Sequence, residues 1–379
     1  MKRVSKERAA TEGRPYSDRL MTRLNKRTVF FAVLILSQVF LYGLRWQKSD
    51  AMTSDFIYFY VVGRLYESGQ NPYDLDRQCR AQAELRPGDC AGYAHTPILL
   101  PLYGLLFNDD FQVSYWRWAI FQLGLLAICV WLLYLVSGNF FASLQCCVFP
   151  PVVGGLLIAN DTIFILTAIL GWAVLMLRKA DLWAGIVLAF VILKPQLALP
   201  LAIPLLFVRP KAFAGFCIGG CVLTLYSLLI VGTDGFVGII EVTRSLARGG
   251  TFGGVSHSIM FNTTGILARL GINTVWAWPL FGAGIAGLSV YLRKHGISPS
   301  SISFSVLITV VICPHLFAYD LSYLVLPLIV VHPLGIFVGS LVTGLLLVGS
   351  PWWTVYIMMI VVGYLLLKQK PKPQSEARL

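Results

Sequence analysis

From residue 28 to residue 367 the chain returns again and again to apolar runs, broken only by short polar or basic stretches. Such runs leave few options, because an apolar segment in lipid satisfies its backbone polar groups only by coiling into a helix. They lie at 28–46, 113–136, 142–158, 161–177, 181–193, 197–208, 212–232, 273–292, 300–314, 319–331, 334–349 and 352–367. Composition removes the alternatives. Hydrophobic residues make up 57% and charged residues 13%, against roughly half and roughly a quarter in ordinary globular domains. That excludes a soluble enzyme and a disordered chain, and it leaves too few charges to repeat in every heptad of a coiled coil. The expected fold is an all-α polytopic membrane protein of about 12 transmembrane helices.

A net charge of +12 suggests nucleic acid only until its distribution is read. Residues 1–27 hold nine Lys or Arg against three acids, and further basic clusters abut apolar runs at Arg178-Lys179, Arg209-Pro210-Lys211, Arg293-Lys294 and Lys368-Gln369-Lys370-Pro371-Lys372. This is the positive-inside pattern. It places the basic tails 1–27 and 368–379, and with them both termini, in the cytoplasm, on either side of a multi-pass domain over 28–367 in the cell membrane. The run 28–46 exceeds a usual signal-peptide core and lacks a small-x-small site after it, so it reads as a retained first span, with cleavage near Ser49 as the alternative. The runs 181–193 and 197–208 are short, and Lys194-Pro195-Gln196 separates them. Because proline breaks the helical ladder, they are expected to form a V with its tip in the outer half of the membrane. A crossing by residues 97–107 would spoil the parity, so that stretch reads as an interfacial or re-entrant helix.

Two segments stand apart. Residues 47–112 carry nine of the eighteen acids, residues 233–271 are rich in Gly, Ser and Thr, and the topology puts both outside. Cys79 and Cys90 share the first segment, where an oxidising compartment permits a disulfide that spacing alone does not establish. The other cysteines lie in apolar runs and read as core residues, and no CxxC or His-rich spacing points to a metal. Ionisable groups at membrane depth are costly and therefore candidates for function. Asp55, Asn160-Asp161, Lys194-Pro195-Gln196 and Pro314-His315 to Asp320 all fall toward the outer face. Each has a bland alternative: a turn or cap role for Asp55, snorkelling for Lys194, packing for His315, and for Asp161 the favoured reading of a cap on the fourth span. Shared sidedness argues against four coincidences. The aromatic stretch Asp55–Tyr66 suits a helix in the headgroup plane, whose carboxylate would face a substrate with its tail in the bilayer.

The runs Ser54-Asp55-Phe56 to Gly69-Gln70-Asn71-Pro72-Tyr73, Tyr93-Ala94-His95-Thr96-Pro97, Gly185 to Lys194-Pro195-Gln196, and Pro314-His315 to Tyr319-Asp320 occur in an order that resembles glycosyltransferase family 87, over roughly residues 28–340. These are membrane enzymes of the GT-C class, best known as polyprenol-phosphomannose-dependent phosphatidylinositol-mannoside mannosyltransferases. Departures are Thr96-Pro97 in place of a frequent proline pair, and Asn160-Asp161 in place of a Gly-Gln-like pair. The resemblance implies a GT-C-like bundle with interfacial helices in the first outer loop. It implies an inverting transfer, without a cofactor, of a sugar such as mannose from a polyprenyl-phosphate donor to a lipid or glycan hydroxyl on the extracytoplasmic face. Asp55 matches the general base. Lys194 and His315 are the expected cations for the donor phosphate, with Arg244 and Arg248 in reserve, so that no metal is required where these suffice. Gln196, Tyr319, Asp320, Tyr93 and His95 are the expected substrate contacts. The chief rival is a transporter or flippase of a lipid-linked saccharide, which would show internal repeats and sites at the bilayer midplane; no second copy of Lys-Pro-Gln or of the Asp55 region occurs. An oligosaccharide ligase would carry its main outer loop late and basic, whereas the largest here is early and acidic.

Overall fold

In the acid-rich early segment, Asn71-Pro72 turns the chain between α1 (Phe56–Glu67) and α2 (Leu75–Leu85), and the Asp74 side chain caps α2 by accepting from the Arg77 N–H at 3.1 Å. The computed structural model describes residues 55–87, 90, 92–93, 95–107, 110–247, 257–346 and 352–369. The expected first span 28–46, the tail 1–27, most of the tail 368–379 and Arg248 lie outside the described residues. Cys79 and Cys90 are joined in a disulfide. A 3-10 turn at Pro97–Leu99 leads into α3 (Leu100–Leu106). The aromatic face of α1 is covered by protein: Phe56 sits edge-on to Phe107 at 5.1 Å and to Tyr115 at 5.4 Å, and Phe59 packs on Tyr103 at 5.5 Å.

After the first, each expected run carries a helix. Asp110 caps α4 (Phe111–Ser137), accepting from the Val113 N–H at 2.8 Å. The run 142–158 is bent by 48° where Phe149-Pro150 separates α5 (Phe140–Leu144) and its 3-10 extension from α6 (Pro150–Leu157). Next come α7 (Thr162–Leu177), α8 (Asp181–Ala189) with a 3-10 extension over Phe190–Leu193, α9 (Pro195–Ala202) and α10 (Leu205–Val208). Helix α11 (Pro210–Ala247) takes in residues 233–247, which composition assigned to a loop, and it breaks at Gly232 (φ 67°, ψ −175°). Then follow α12 (Thr263–Arg269), α13 (Ala277–His295), α14 (Pro299–Ile312), a 3-10 stretch at Ala318–Leu324, α15 (Val325–Val331), α16 (Gly335–Leu346) and α17 (Trp353–Lys368). Among the described residues, three helices are long and apolar enough to cross a membrane by themselves: Phe111–Ser137, Pro210–Arg244 and Thr274–His295. The rest are shorter apolar helices, interrupted by proline or by polar tips.

Two of those interruptions are reversals of the chain. A straight helix from Asp181 to Arg209 would part these residues by roughly 40 Å at 1.5 Å per residue, yet Arg209 Nη1 lies 3.7 Å from Asp181 Oδ2. The chain therefore turns back between them, at Lys194 (φ −125°, ψ 84°) and Pro195, which forms the V expected from the sequence. Residues 299–331 form a second hairpin, whose two open ends meet Gln369: Ser300 Oγ bonds Gln369 Oε1, and Gln369 Nε2 donates to the Val330 carbonyl at 3.2 Å. The two tips touch, with Lys194 Nζ at 2.6 Å from Asp320 Oδ1. Arg178-Lys179, Arg209, Arg293-Lys294 and Lys368 consequently gather at helix ends remote from those tips. The first hairpin seats against α11 through missing side chains: a Cβ on Gly185 would lie 1.9 Å from the Ala212 carbonyl oxygen, and one on Gly215 2.1 Å from that of Leu182. Such close backbone approach is how membrane helices gain packing contact without a hydrophobic driving force between them.

Candidate active site

The turn between α6 and α7 is built from below by one face of α4. Tyr115 OH donates to the Leu157 carbonyl at 3.1 Å, Trp118 Nε1 to the Ala159 carbonyl at 2.8 Å, and Gln122 Nε2 to the Asn160 carbonyl. Positions three and four apart share a helix face, so residues 115, 118 and 122 form one row of donors. They hold Ala159 at φ 53°, a left-handed conformation that costs an alanine about 1–2 kcal/mol. Gln122, buried in the middle of an apolar run, carries no sequence signal beyond its own polarity.

That turn presents Asn160 and Asp161. Asn160 Oδ1 accepts from Thr162 N at 3.1 Å and from Thr162 Oγ1 at 2.9 Å, while Asn160 Nδ2 donates to Asp55 Oδ2 at 2.8 Å. The favoured cap reading of Asp161 does not hold: it stands at the cap position of α7 but makes no capping hydrogen bond, and Asn160 accepts the Thr162 N–H instead. The Asp161 carboxylate, fully buried, faces His95 Nδ1 at 2.8 Å and Lys194 Nζ at 3.8 Å. Asp55 likewise stands at the cap position of α1 without capping it. Burial holds its carboxyl above the ordinary 3.8, while the Asn160 hydrogen bond, Lys194 and His95 pull it back and Asp161 adds to the rise.

His95 is fixed from several sides. Its ring stacks on Tyr93 with centroids 5.2 Å apart, Phe59 meets it edge-on at 5.7 Å, and Tyr73 OH donates to its carbonyl at 2.7 Å. Tyr93 itself is buried beneath the stack. Asp320, expected to contact substrate, is buried with both oxygens engaged: Oδ1 by Lys194 and by Tyr323 OH at 3.2 Å, Oδ2 by the Phe317 N–H at 3.0 Å. It serves Lys194 instead. Tyr319 stands beside the same lysine, whose Nζ is 5.2 Å from the ring centroid. The lysine's charge is thus already shared between two carboxylates. His315 is exposed at the tip of the second hairpin, edge-on to Phe317 at 4.8 Å. Gln196 is half-buried in the first turn of α9 and makes no side-chain hydrogen bond among the described residues. Arg244 is exposed near the end of α11 and enters no ion pair among the described residues.

Asp55, His95, Asn160-Asp161, Lys194 and Tyr319-Asp320 therefore meet at one end of the assembly, drawn from segments up to 265 residues apart in the sequence. The arrangement offers a partly exposed carboxylate beside a buried lysine and a paired imidazole, at the edge of an apolar body. The family model of glycosyltransferase family 87 matches residues 93–314, more than half of the chain. The match contains His95, Asn160, Asp161 and Lys194, and stops short of Asp55, His315, Tyr319 and Asp320. No curated protein and no solved structure matches.

Proposed function

The chain belongs to glycosyltransferase family 87, and from that premise we propose that it transfers a hexose, mannose, from a polyprenyl-phosphate donor to a lipid or glycan hydroxyl, with inversion. Asp55 is the general base. The acceptor hydroxyl gives its proton to the Asp55 carboxylate as its oxygen bonds the anomeric carbon. On the opposite face the bond from that carbon to the phosphate oxygen breaks, and its electron pair leaves on polyprenyl phosphate. A positioned base contributes about 10²–10⁴-fold. Lys194 and His315 meet the developing phosphate charge, and Tyr319 and Gln196 bond the sugar or the phosphate. The reaction takes place on the extracytoplasmic face of the cell membrane, with both termini cytoplasmic and the prenyl chain remaining in the bilayer.

One observation supports this reading above the others: Asp55 is a partly exposed carboxylate whose partners come from distant segments and gather at a single end of the apolar helices. The basic clusters at the remote ends support the stated orientation. The test is to incubate purified protein in lipid nanodiscs with a panel of polyprenyl-phosphate sugars and acceptor lipids, and to measure release of polyprenyl phosphate. Release with at least one donor by the parent, and none by Asp55→Asn, is expected. No release with any donor from folded parent protein would return the chain to the rival reading, transport of a lipid-linked saccharide.

A further inference from the structure

The side-chain amide of Asn160 has one orientation open to it. Its oxygen is taken by the Thr162 N–H and hydroxyl, so its nitrogen must be the end turned to Asp55. Its backbone carbonyl is held by Gln122, and the Leu157 and Ala159 carbonyls just before it by Tyr115 and Trp118. Among the described residues, no hydrogen bond falls on the other Asp55 oxygen, Oδ1. We propose that Asn160 is a positioning residue, which ties down Oδ2 of Asp55 and so reserves Oδ1, at a fixed angle, for the proton of the acceptor hydroxyl. This rests on the reading of Asp55 as the base. A carboxylate that accepts a fixed N–H keeps its charged form favoured and does not swing, which is what a base at the edge of an apolar body needs.

The other groups that face Asp55 are Lys194 and His95, which favour its charge, Asp161, which opposes it, and the phenols of Tyr58 and Tyr319. None of these supplies the short donor contact that Asn160 makes.

The test is the pH dependence of kcat/KM for the parent, Asn160→Ala, Asn160→Asp and Thr162→Val. Asn160→Asp keeps an oxygen for the Thr162 N–H but removes the donor to Asp55. Thr162→Val leaves Asp55 untouched and loosens the Asn160 amide. Losing a hydrogen bond to a charged group is expected to lower kcat at neutral pH about ten- to a hundredfold, with donor KM within about twofold, and to move the acid limb up by about one pH unit or more. Thr162→Val should move the limb the same way by less, and it reports even where an Asn160 variant fails to fold. An acid limb unchanged in every folded variant would overturn the proposal, and so would a change confined to donor KM. Asp55→Asn separates the two readings: retained transfer there removes the base itself, whereas loss of transfer there with an unmoved limb in the other variants removes only the role of Asn160.

Discussion

At the scale of single residues, the proposed role of Asp55 as the base sets two requirements against each other. Burial raises its carboxyl above 3.8, yet a base acts only in the charged form, so transfer is predicted to fall as pH drops through that raised value. Stability runs the other way. Below 3.8 the group is protonated whether the chain is folded or unfolded, and as pH rises the unfolded chain ionises first. Folding stability is therefore lost across the window between 3.8 and the raised value, and it stays lower at neutral pH. Asp55→Asn should then abolish transfer while unfolding at the same temperature as the parent or higher; a lower midpoint with residual transfer would contradict both statements. Lys194 behaves differently because its partners are buried. Lys194→Met strands Asp320 and Asp161, at a cost of about 3–5 kcal/mol, and adding Asp320→Asn should restore much of that stability without restoring donor turnover. Parent donor kinetics in the double variant would remove Lys194 from the donor site. These residues were only partly legible. Asp55, Lys194 and the His315–Asp320 tip announce themselves as polar groups in an oily chain. Asp161 looked like a helix cap because the chain does start a helix there, and only the approach of His95 shows what its carboxylate faces.

Elements place those residues, and they do so through interruptions. Lys194-Pro195 was legible as a reversal because proline removes a helical donor wherever it stands. The continuation of α11 beyond residue 232 was not, since its Gly and Thr content resembles a loop. The aromatic residues of α1 suit a lipid headgroup surface by composition, and which of them pack on α3 and α4 is decided by tertiary structure. Gly215 makes the seating of the first hairpin testable. Gly215→Ala puts a Cβ 2.1 Å from a backbone oxygen, so the helices must part, and a loss of about 1–3 kcal/mol is expected. Gly124→Ala is the control: nothing lies within 4 Å of its Cβ position, and an alanine in a helix interior should leave the melting temperature unchanged or slightly higher. Equal effects at both positions would refute the close-packing account. Gln122→Leu should lower transfer by weakening the row of donors under Asn160, with little change in donor KM.

For the molecule as a whole, the prediction concerns sides. In a membrane-impermeant labelling experiment, Gln70→Cys and Ala318→Cys should react from the same face of the membrane, and Lys294→Cys only after permeabilisation. Labelling of positions 70 and 318 from opposite faces would end the single-site reading. The sequence by itself determined that the chain is helical and oily, where it reverses and which ends carry the positive charge. Each of those follows from local causes: the apolar runs, proline, and the cost of moving lysine and arginine through lipid. Which polar groups touch was decided only by tertiary structure. Asp55 and Asn160 stand 105 residues apart, Lys194 and Asp320 126 residues apart, and nothing in the local chemistry of either partner specifies the other. Lys194 meets Asp320 where the tips of two hairpins touch, Asp55 meets Asn160 because α4 holds the α6–α7 turn in place, and an unpaired charge buried there would cost several kcal/mol.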